Sequence, residues 1–212
     1  QLLSLEKRIE GMHITRQVEF RVDDIAQESA AVIDQIRRVG QLSNLALKLF
    51  SWFVQHGHAR DQSDETAVRS FLQEHLPTDA WSYTGFYERL YLYQSLSWFA
   101  FIRQDFVQYY RYAQKWVSLF TEEPARIRTE TGHYIKGLHT LLNAQFDLRH
   151  HRAFRDTLHQ LEALSQTPRI LQNDNFRIQC FVYLSTARIN GHFMDGSFKQ
   201  GLQQIPQIEA EL

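Results

Sequence analysis

Histidine is the residue type in this chain best suited to chemistry, because ten are present and neutral imidazole is a common metal ligand. The closest pairs are His56 with His58 and His150 with His151. Neither pair has the i, i+4 spacing that directs two imidazoles from one helix face to a single ion, and neither HExxH nor CxxC occurs. His133 and His139 are six residues apart and are expected to face different ways. We therefore interpret the close pairs as solvated turn residues and predict no metal ligands and no cofactor.

Adjacent carboxylates could perform acid–base catalysis, and three such pairs are present. They are Asp23–Asp24, Asp64–Glu65 and Glu122–Glu123. Each pair falls on a predicted helix surface or helix start, where negative charge interacts favourably with the helix dipole. The GxSxG turn of serine hydrolases and the glycine-rich phosphate loop do not occur, since the nine glycines are scattered. The sequence therefore predicts no catalytic residues and a protein that is not an enzyme.

A local concentration of positive charge occurs at residues 149–155, where Arg149, Arg152 and Arg155 flank two histidines and a phenylalanine. Such a cluster could contact an anion or nucleic acid. The alternative is a solvated turn whose basic groups suit the carboxyl end of the preceding helix. We favour the turn, because the formal net charge of the chain is only -1 and nucleic-acid-binding domains are usually strongly basic. The three arginines remain candidates for an anion contact.

Aromatic residues are densest between residues 90 and 120. The tyrosines and tryptophans of this stretch are Tyr91, Tyr93, Trp98, Tyr109, Tyr112 and Trp116. They could line a concave groove for a peptide, because these side chains combine large contact area with a polar group. Such a stripe more often forms the core between helical repeats. We expect the phenols of Tyr109 and Tyr112 to reach solvent, so Tyr109, Tyr112 and Trp116 are the candidate residues for binding a partner.

The elements that position these residues are predicted to be helices. After the polar break at Arg103-Gln104-Asp105, apolar residues recur from Phe106 to Phe120 with helical spacing. The segment before the break is apolar on several faces, which predicts a buried inner helix. No segment alternates convincingly with a period of two, so we predict no sheet. The fold class predicted is all-α.

Two regions are distinguished along the chain. Residues 1–76 are predicted to be amino-terminal helices that pack on the remainder, and residues 77–212 a continuous set of helical hairpins. In the first region we expect breaks at Gly11 and Gly40, with an amphipathic helix from about Thr15 to Val39 and a second helix that folds back on it and ends near Gly57. Its apolar stripe is expected to face the core.

Composition limits the possible locations. No run approaches the length of about 18 apolar residues that a spanning helix needs, so no membrane partner is predicted. The single Cys180 excludes an internal disulfide and is expected to be a small buried thiol. These features suit a cytoplasmic protein. The chain begins without methionine and ends in helical register, which suggests a piece of a longer protein.

A turn pattern recurs in the second region: a polar break, an aromatic residue and an amphipathic helix. The copies are Gln104-Asp105-Phe106, Arg152-Ala153-Phe154 and Gly191-His192-Phe193, whose aromatic residues are 48 and 39 residues apart. This pattern resembles the tetratricopeptide repeat over residues 86–212, although the usual period of that family is about 34. The aromatic runs also look like those of uncharacterised helical-repeat proteins of bacteria. The resemblance implies antiparallel helical hairpins, about four in number, stacked as a right-handed superhelix.

The same resemblance implies a non-catalytic scaffold that binds a protein or peptide along a concave face. A second hypothesis is a regulatory, peptide-sensing module of a longer bacterial signalling or transcription protein. The third is an enzyme whose site is assembled between helices, and it ranks last because no catalytic motif supports it. The sequence identifies neither the partner nor the oligomeric state.

Overall fold

The computed structural model describes residues 2–10 and 18–211, and this part of the chain contains eleven α-helices, one 3-10 helix and no strand. The helices are α1 Leu2–Glu10, α2 Val18–His56, α3 Gln62–His75, α4 Phe86–Ile102, α5 Phe106–Glu122, α6 Arg126–Thr129, α7 Thr131–Asp147, α8 His151–Ser165, α9 Pro168–Leu171, α10 Asp174–Asp195 and α11 Phe198–Glu211, with the 3-10 helix at Ala80–Ser82. The all-α prediction is confirmed. No described helix is both long and apolar enough to cross a bilayer.

Helix α2 corrects the predicted organisation of the amino-terminal region. It runs for 39 residues without a break at Gly40, because glycine in a helix interior costs only about 1 kcal/mol relative to alanine. The helix ends where Gly57 adopts a φ of 73°, as expected. The proposed fold-back does not occur, and the carboxyl half of α2 packs on α4 instead, with Ser95 donating a hydrogen bond to the Leu42 carbonyl. The predicted break at Gly11 lies outside the described residues.

The apolar stripe predicted for the amino half of α2 is largely exposed. Ile25 is buried, whereas Val22, Val32 and Ile36 are exposed. Buried residues recur with helical spacing only from Leu42 onward, at Leu42, Leu45, Ala46 and Leu49. The part of α2 that packs into a core is therefore its carboxyl half.

Helix α4 is the buried inner helix that its pattern predicts. One apolar core joins it to α2 and α3 through residues such as Leu92 and Leu96. A second core joins it to α5, α7, α8 and α10 through Leu90 and Ala100. Because α4 belongs to both cores, the two predicted regions of the chain share one continuous packing arrangement.

Three helix-to-helix turns share one hydrogen-bonding pattern. After α4, α7 and α10, a residue in the left-handed conformation lies two positions before the first residue of the next helix. These residues are Gln104, Arg149 and Gly196, with φ of 56°, 54° and 67°. The amide that follows bonds a carbonyl five residues earlier, in the pairs Asp105 N–Ala100 O at 3.0 Å, His150 N–Gln145 O at 2.8 Å and Ser197 N–His192 O at 2.9 Å. This is the closing bond of a Schellman motif.

The turn geometry corrects the predicted register. The segment Gly191-His192-Phe193 lies within α10 and forms no turn. The equivalent residues are Asp105, His150 and Ser197, which are 45 and 47 residues apart. In that register Tyr109 corresponds to Phe154, which was predicted to correspond to Phe106.

Candidate functional site

A cavity of about 560 Å³ opens beside α4 and α7, and we refer to it as the cleft. Helix α5 contributes two buried side chains to it, and α2 and α10 complete its walls. The lining residues are Ser43, Ala46, Leu47, Phe50, Tyr91, Gln94, Ser97, Trp98, Phe101, Tyr109, Trp116, His133, Lys136, His139, Thr140, Asn143 and Tyr183. Its volume is within the range of ligand pockets, about 300–1,000 Å³.

The cleft exists because α4 and α7 both pack on α5 without packing closely on each other. Side chains near their amino-terminal ends bridge the gap. The Tyr87 phenol donates to Glu130 Oε1 at 2.6 Å, and the Tyr91 ring meets His133 edge-on with centroids 5.4 Å apart. Beyond these contacts, the space between the two helices remains open as the cleft.

Aromatic rings form a connected wall on the α2 and α4 side. Trp98 contacts Phe50 at a centroid distance of 5.2 Å and Phe101 at 6.0 Å. Phe101 in turn contacts Tyr109 at 5.0 Å. Aromatic pairs in such tilted and edge-to-face arrangements are favourable beyond the area they bury. The wall is therefore held in place before any ligand arrives.

Two histidines of α7 lie on the opposite side, contrary to the expectation that they face different ways. His139 stacks on Tyr183 with centroids 3.8 Å apart and an interplanar angle of 6°. Burial lowers the pKa of His139 to about 4 and also lowers the pKa of His133, so both rings are neutral at pH 7. His139 Nε2 accepts a hydrogen bond from Asn143 Nδ2 at 3.1 Å, which places the imidazole proton on Nδ1.

Unpartnered polar atoms concentrate in the walls of the cleft. In the described part of the chain, eight buried side-chain nitrogen or oxygen atoms lack a hydrogen-bond partner, and five of them belong to lining residues. These five are Gln94 Oε1, Ser97 Oγ, Trp116 Nε1, His133 Nδ1 and His139 Nδ1. Leaving such a group unsatisfied costs about 1–3 kcal/mol. A ligand that bonds to them would recover part of this cost.

The only formal charge in the described lining of the cleft is positive. Lys136, an exposed residue, is the sole charged side chain among the described lining residues at neutral pH. Glu130 is close to His133 and acts on its pKa, but it does not line the cleft and its Oε1 accepts the Tyr87 phenol.

The predicted partner-binding residues separate into two groups. Tyr109 and Trp116 line the cleft and are only 6% and 3% exposed. The expectation that the Tyr109 phenol reaches solvent is wrong, because both residues belong to the core shared with α7, and burial raises the pKa of that phenol. Tyr112 is half-buried outside the cleft, with Lys115 Nζ 5.9 Å from its ring centroid.

Polar lining residues were missed from the sequence, among them Gln94, Ser97, His133 and His139. The corrected register contains the missing signal, because Gln94 and His139 are 45 residues apart, the same separation as Asp105 and His150, the residues that immediately precede α5 and α8. Equivalent faces of α4 and α7 therefore meet across the cleft.

The predicted anion-contact arginines do not form one preorganised site. Arg155 Nη1 is 3.6 Å from Asp195 Oδ1, and His151 Nδ1 is 3.4 Å from the same oxygen. Arg149 holds the left-handed turn position, and Arg152 is exposed. Asp195 thus partly neutralises the cluster, and an anion contact there stays a prediction.

A second cavity, of about 570 Å³, lies among α8, α9, α10 and α11. It contains the Arg188–Glu162 ion pair at 2.9 Å, so its main charged groups satisfy each other. Burial raises the pKa of the Cys180 thiol to about 11, which keeps it protonated at neutral pH and removes it as a nucleophile. The prediction of a small buried thiol is confirmed. This second cavity is therefore a weaker candidate for a binding site than the cleft.

Comparison of the chain with protein-family models, with curated proteins and with solved structures gave no match.

Proposed function

We propose that the protein is a non-catalytic binding module that takes a peptide or protein partner on the face formed by α2, α4, α7 and α10, with the cleft as its anchor pocket. The observation that carries the proposal is the concentration of unpartnered polar atoms in the walls of one aromatic cavity. Apolar pockets with a few convergent polar groups are typical ligand sites.

The exposed surface next to the cleft supports a partner larger than a small molecule. Leu47 and Phe50 of α2 are 65% and 44% exposed at its edge. Large apolar side chains that continue from a pocket onto the surface are common in protein interaction sites. An extended segment could place one side chain in the cleft and cover these residues with its neighbours.

The chemistry of the cleft supports binding without catalysis. Ser97 is the lining residue best placed to act as a nucleophile, and its hydroxyl has no hydrogen-bond partner. A serine nucleophile needs an adjacent base to activate it. The neutral histidines bond instead to Tyr91 and Asn143.

The recurring turns support a tetratricopeptide-like stack as part of the same proposal. In it, α4 with α5, α7 with α8 and α10 with α11 are successive hairpins, preceded by the carboxyl half of α2 with α3. The binding face is then the concave side of a right-handed superhelix. Small-angle X-ray scattering of the protein tests the curvature.

Selection from a displayed library of random peptides, with the purified protein as bait, tests the function. Enriched peptides are expected to bind the wild-type protein and to lose at least tenfold in affinity with Leu47→Asp, which places a charge at the cleft edge. Val107→Asp is the matched control, since Val107 is 64% exposed on α5 and does not line the cleft. No enrichment, or equal loss with both variants, would overturn the proposal.

A further inference from the structure

We infer that the anchor which the cleft accepts is an aromatic ring carrying a hydrogen-bond-accepting group that is uncharged or anionic, and that the cleft rejects cations. In a peptide partner this is an aromatic side chain flanked by backbone carbonyls or an acidic residue. The inference rests on the proposed binding function and names the chemistry of its ligand.

The aromatic preference follows from the wall. Trp98 and Phe101 present ring surface from α4, Phe50 does so from α2, and Tyr183 does so from α10. Their contacts with one another are tilted or edge-to-face, so ring edges and faces border the same space. A ligand ring can extend this pattern with the same geometry, which a saturated chain of equal volume cannot do.

The need for an acceptor follows from the donors that lack one. Trp116 Nε1 can only donate, and it has no partner. Its neighbour on α7 is Gly137, where an added Cβ would lie 3.2 Å from Nε1, so any side chain at that position would crowd the indole nitrogen. His139 Nδ1 is a second donor, because its Nε2 accepts from Asn143. The lining therefore contains two donors without acceptors, on adjacent helices, which a ligand carbonyl or carboxylate could bind.

The selection on charge follows from Lys136. Aromatic faces attract cations, so an aromatic cleft alone would not exclude an ammonium group. Here, however, the sole charged residue among the described lining residues is itself a cation, and no lining carboxylate balances a second one. Two acidic groups outside the lining act on lining residues: Glu130, which accepts the Tyr87 phenol, acts on His133, and Asp147 acts on Tyr109.

Four small probes of nearly equal size separate these requirements: 3-phenylpropanamide, 3-phenylpropionate, 3-phenylpropylamine and 3-cyclohexylpropanamide. Binding is followed by ¹H–¹⁵N NMR of the indole groups, which number only four. The Trp116 and Trp98 signals are expected to shift with the two acceptor-bearing phenyl probes, while the signal of Trp81, which is 60% exposed and outside the cleft, stays unchanged. The amine is expected to bind at least tenfold more weakly, and the cyclohexyl amide roughly threefold more weakly than its phenyl counterpart.

Two variants assign the contacts. Lys136→Met is expected to weaken 3-phenylpropionate severalfold and to leave 3-phenylpropanamide unchanged. Trp116→Phe is expected to weaken both, with Trp52→Phe as the matched control outside the cleft. If Trp116→Phe fails to fold, Lys136→Met still tests the charge requirement, because the Lys136 side chain is exposed and its replacement should not disturb folding. Equal binding of the amine, or binding that leaves the Trp116 signal in place, would overturn the inference.

The outcomes separate this inference from the proposed function. Probe binding with the expected order but no selectable peptide would retain the ligand chemistry and reject the peptide partner. Selected peptides that lack an aromatic residue with an acceptor, or that carry a basic residue next to it, would reject the ligand chemistry and retain the binding function.

Discussion

Lowering the pH is expected to destabilise this fold, because His139 becomes protonated in the unfolded chain before it does so in the folded protein. Substitution of His139 isolates the effect. Burial lowers the pKa of His139 from 6.5 to about 4 in the folded protein, so the fold favours the neutral ring. Between these two values the unfolded state binds the proton and the folded state does not. The contribution of the neutral ring is therefore complete above about pH 6.5 and is lost as the pH falls toward 4.

The magnitude follows from the separation of the two pKa values. One pKa unit corresponds to about 1.4 kcal/mol, so a shift of this size reduces the free energy of unfolding by at most about 3 kcal/mol between pH 7 and pH 4. Burial holds the folded ring neutral, in a position where it stacks on Tyr183 and accepts a hydrogen bond from Asn143. Replacing it with glutamine, His139→Gln, removes the titration and retains a polar side chain.

Urea denaturation followed by circular dichroism at pH 7.5, 6.5, 5.5 and 4.5 measures the effect. The unfolding free energy of wild type minus that of His139→Gln is expected to decrease by about 2–3 kcal/mol from pH 7.5 to pH 4.5. The other titrating groups are present in both proteins, so their contributions cancel in this difference. His159→Gln, at an exposed position of α8, serves as the control for replacing a histidine outside the core. Parallel curves for wild type and His139→Gln would refute the burial argument.

Three further predictions concern backbone positions. Arg149→Gly is expected to raise the free energy of unfolding by about 1 kcal/mol, because Arg149 has a φ of 54° that glycine adopts without strain. Gly196→Ala at the equivalent turn is expected to lower the free energy of unfolding by about the same amount. Urea midpoints measure both effects, and a gain in stability at both sites would contradict the strain argument. Gly40→Ala is expected to be stabilising by about 0.5–1 kcal/mol, since α2 is continuous there and an added Cβ meets nothing within 4 Å; a loss measured by thermal unfolding would favour a helix break. Gly137→Ala is expected to cost about 1–2 kcal/mol, because its Cβ would press on the Trp116 indole at 3.2 Å, and an unchanged melting temperature would contradict that contact.

The sequence pattern predicted the helices in which buried apolar residues recur at regular helical spacing. Helix α5 is an example: the apolar stripe that follows the polar break at Arg103-Gln104-Asp105 predicts a start at Phe106, as observed. Gly40 shows that a glycine in the sequence does not always end a helix. A glycine ends a helix when the backbone needs a positive φ, as at Gly57, and the residue type alone does not distinguish the two cases.

The third predicted turn failed for a related reason. The sequence predicts a turn at Gly191, whereas this glycine lies inside α10, where an added Cβ would make an ordinary contact of 3.5 Å with the Phe154 ring. The observed turn is at Gly196, which has a φ of 67° and is followed by Ser197, one residue before α11 begins at Phe198. Local composition cannot separate a glycine in a helix from a glycine in a turn, because the two differ in backbone conformation and not in residue type.

The cleft was only partly predictable. Its aromatic members, among them Tyr91, Trp98 and Trp116, were identified as a possible groove from their density. The histidines were not, because their roles depend on desolvation, which arises only when α7 packs beside α5 and α10. The exposure expected for Tyr109 was wrong for the same reason. Side-chain burial at a position shared by several helices is a property of tertiary packing.

The membership of α4 in two cores has a consequence for cooperativity. Leu90 and Ala100 contact one core while Leu92 and Leu96 contact the other, so a chain cut near residue 76 would leave one flank of α4 bare. Amide hydrogen exchange should accordingly show the slowest protons of the carboxyl half of α2 and of α7 opening together, at the global unfolding free energy. Proteolytic or genetic separation of the two regions would yield fragments that associate, and neither would be a self-sufficient folding unit.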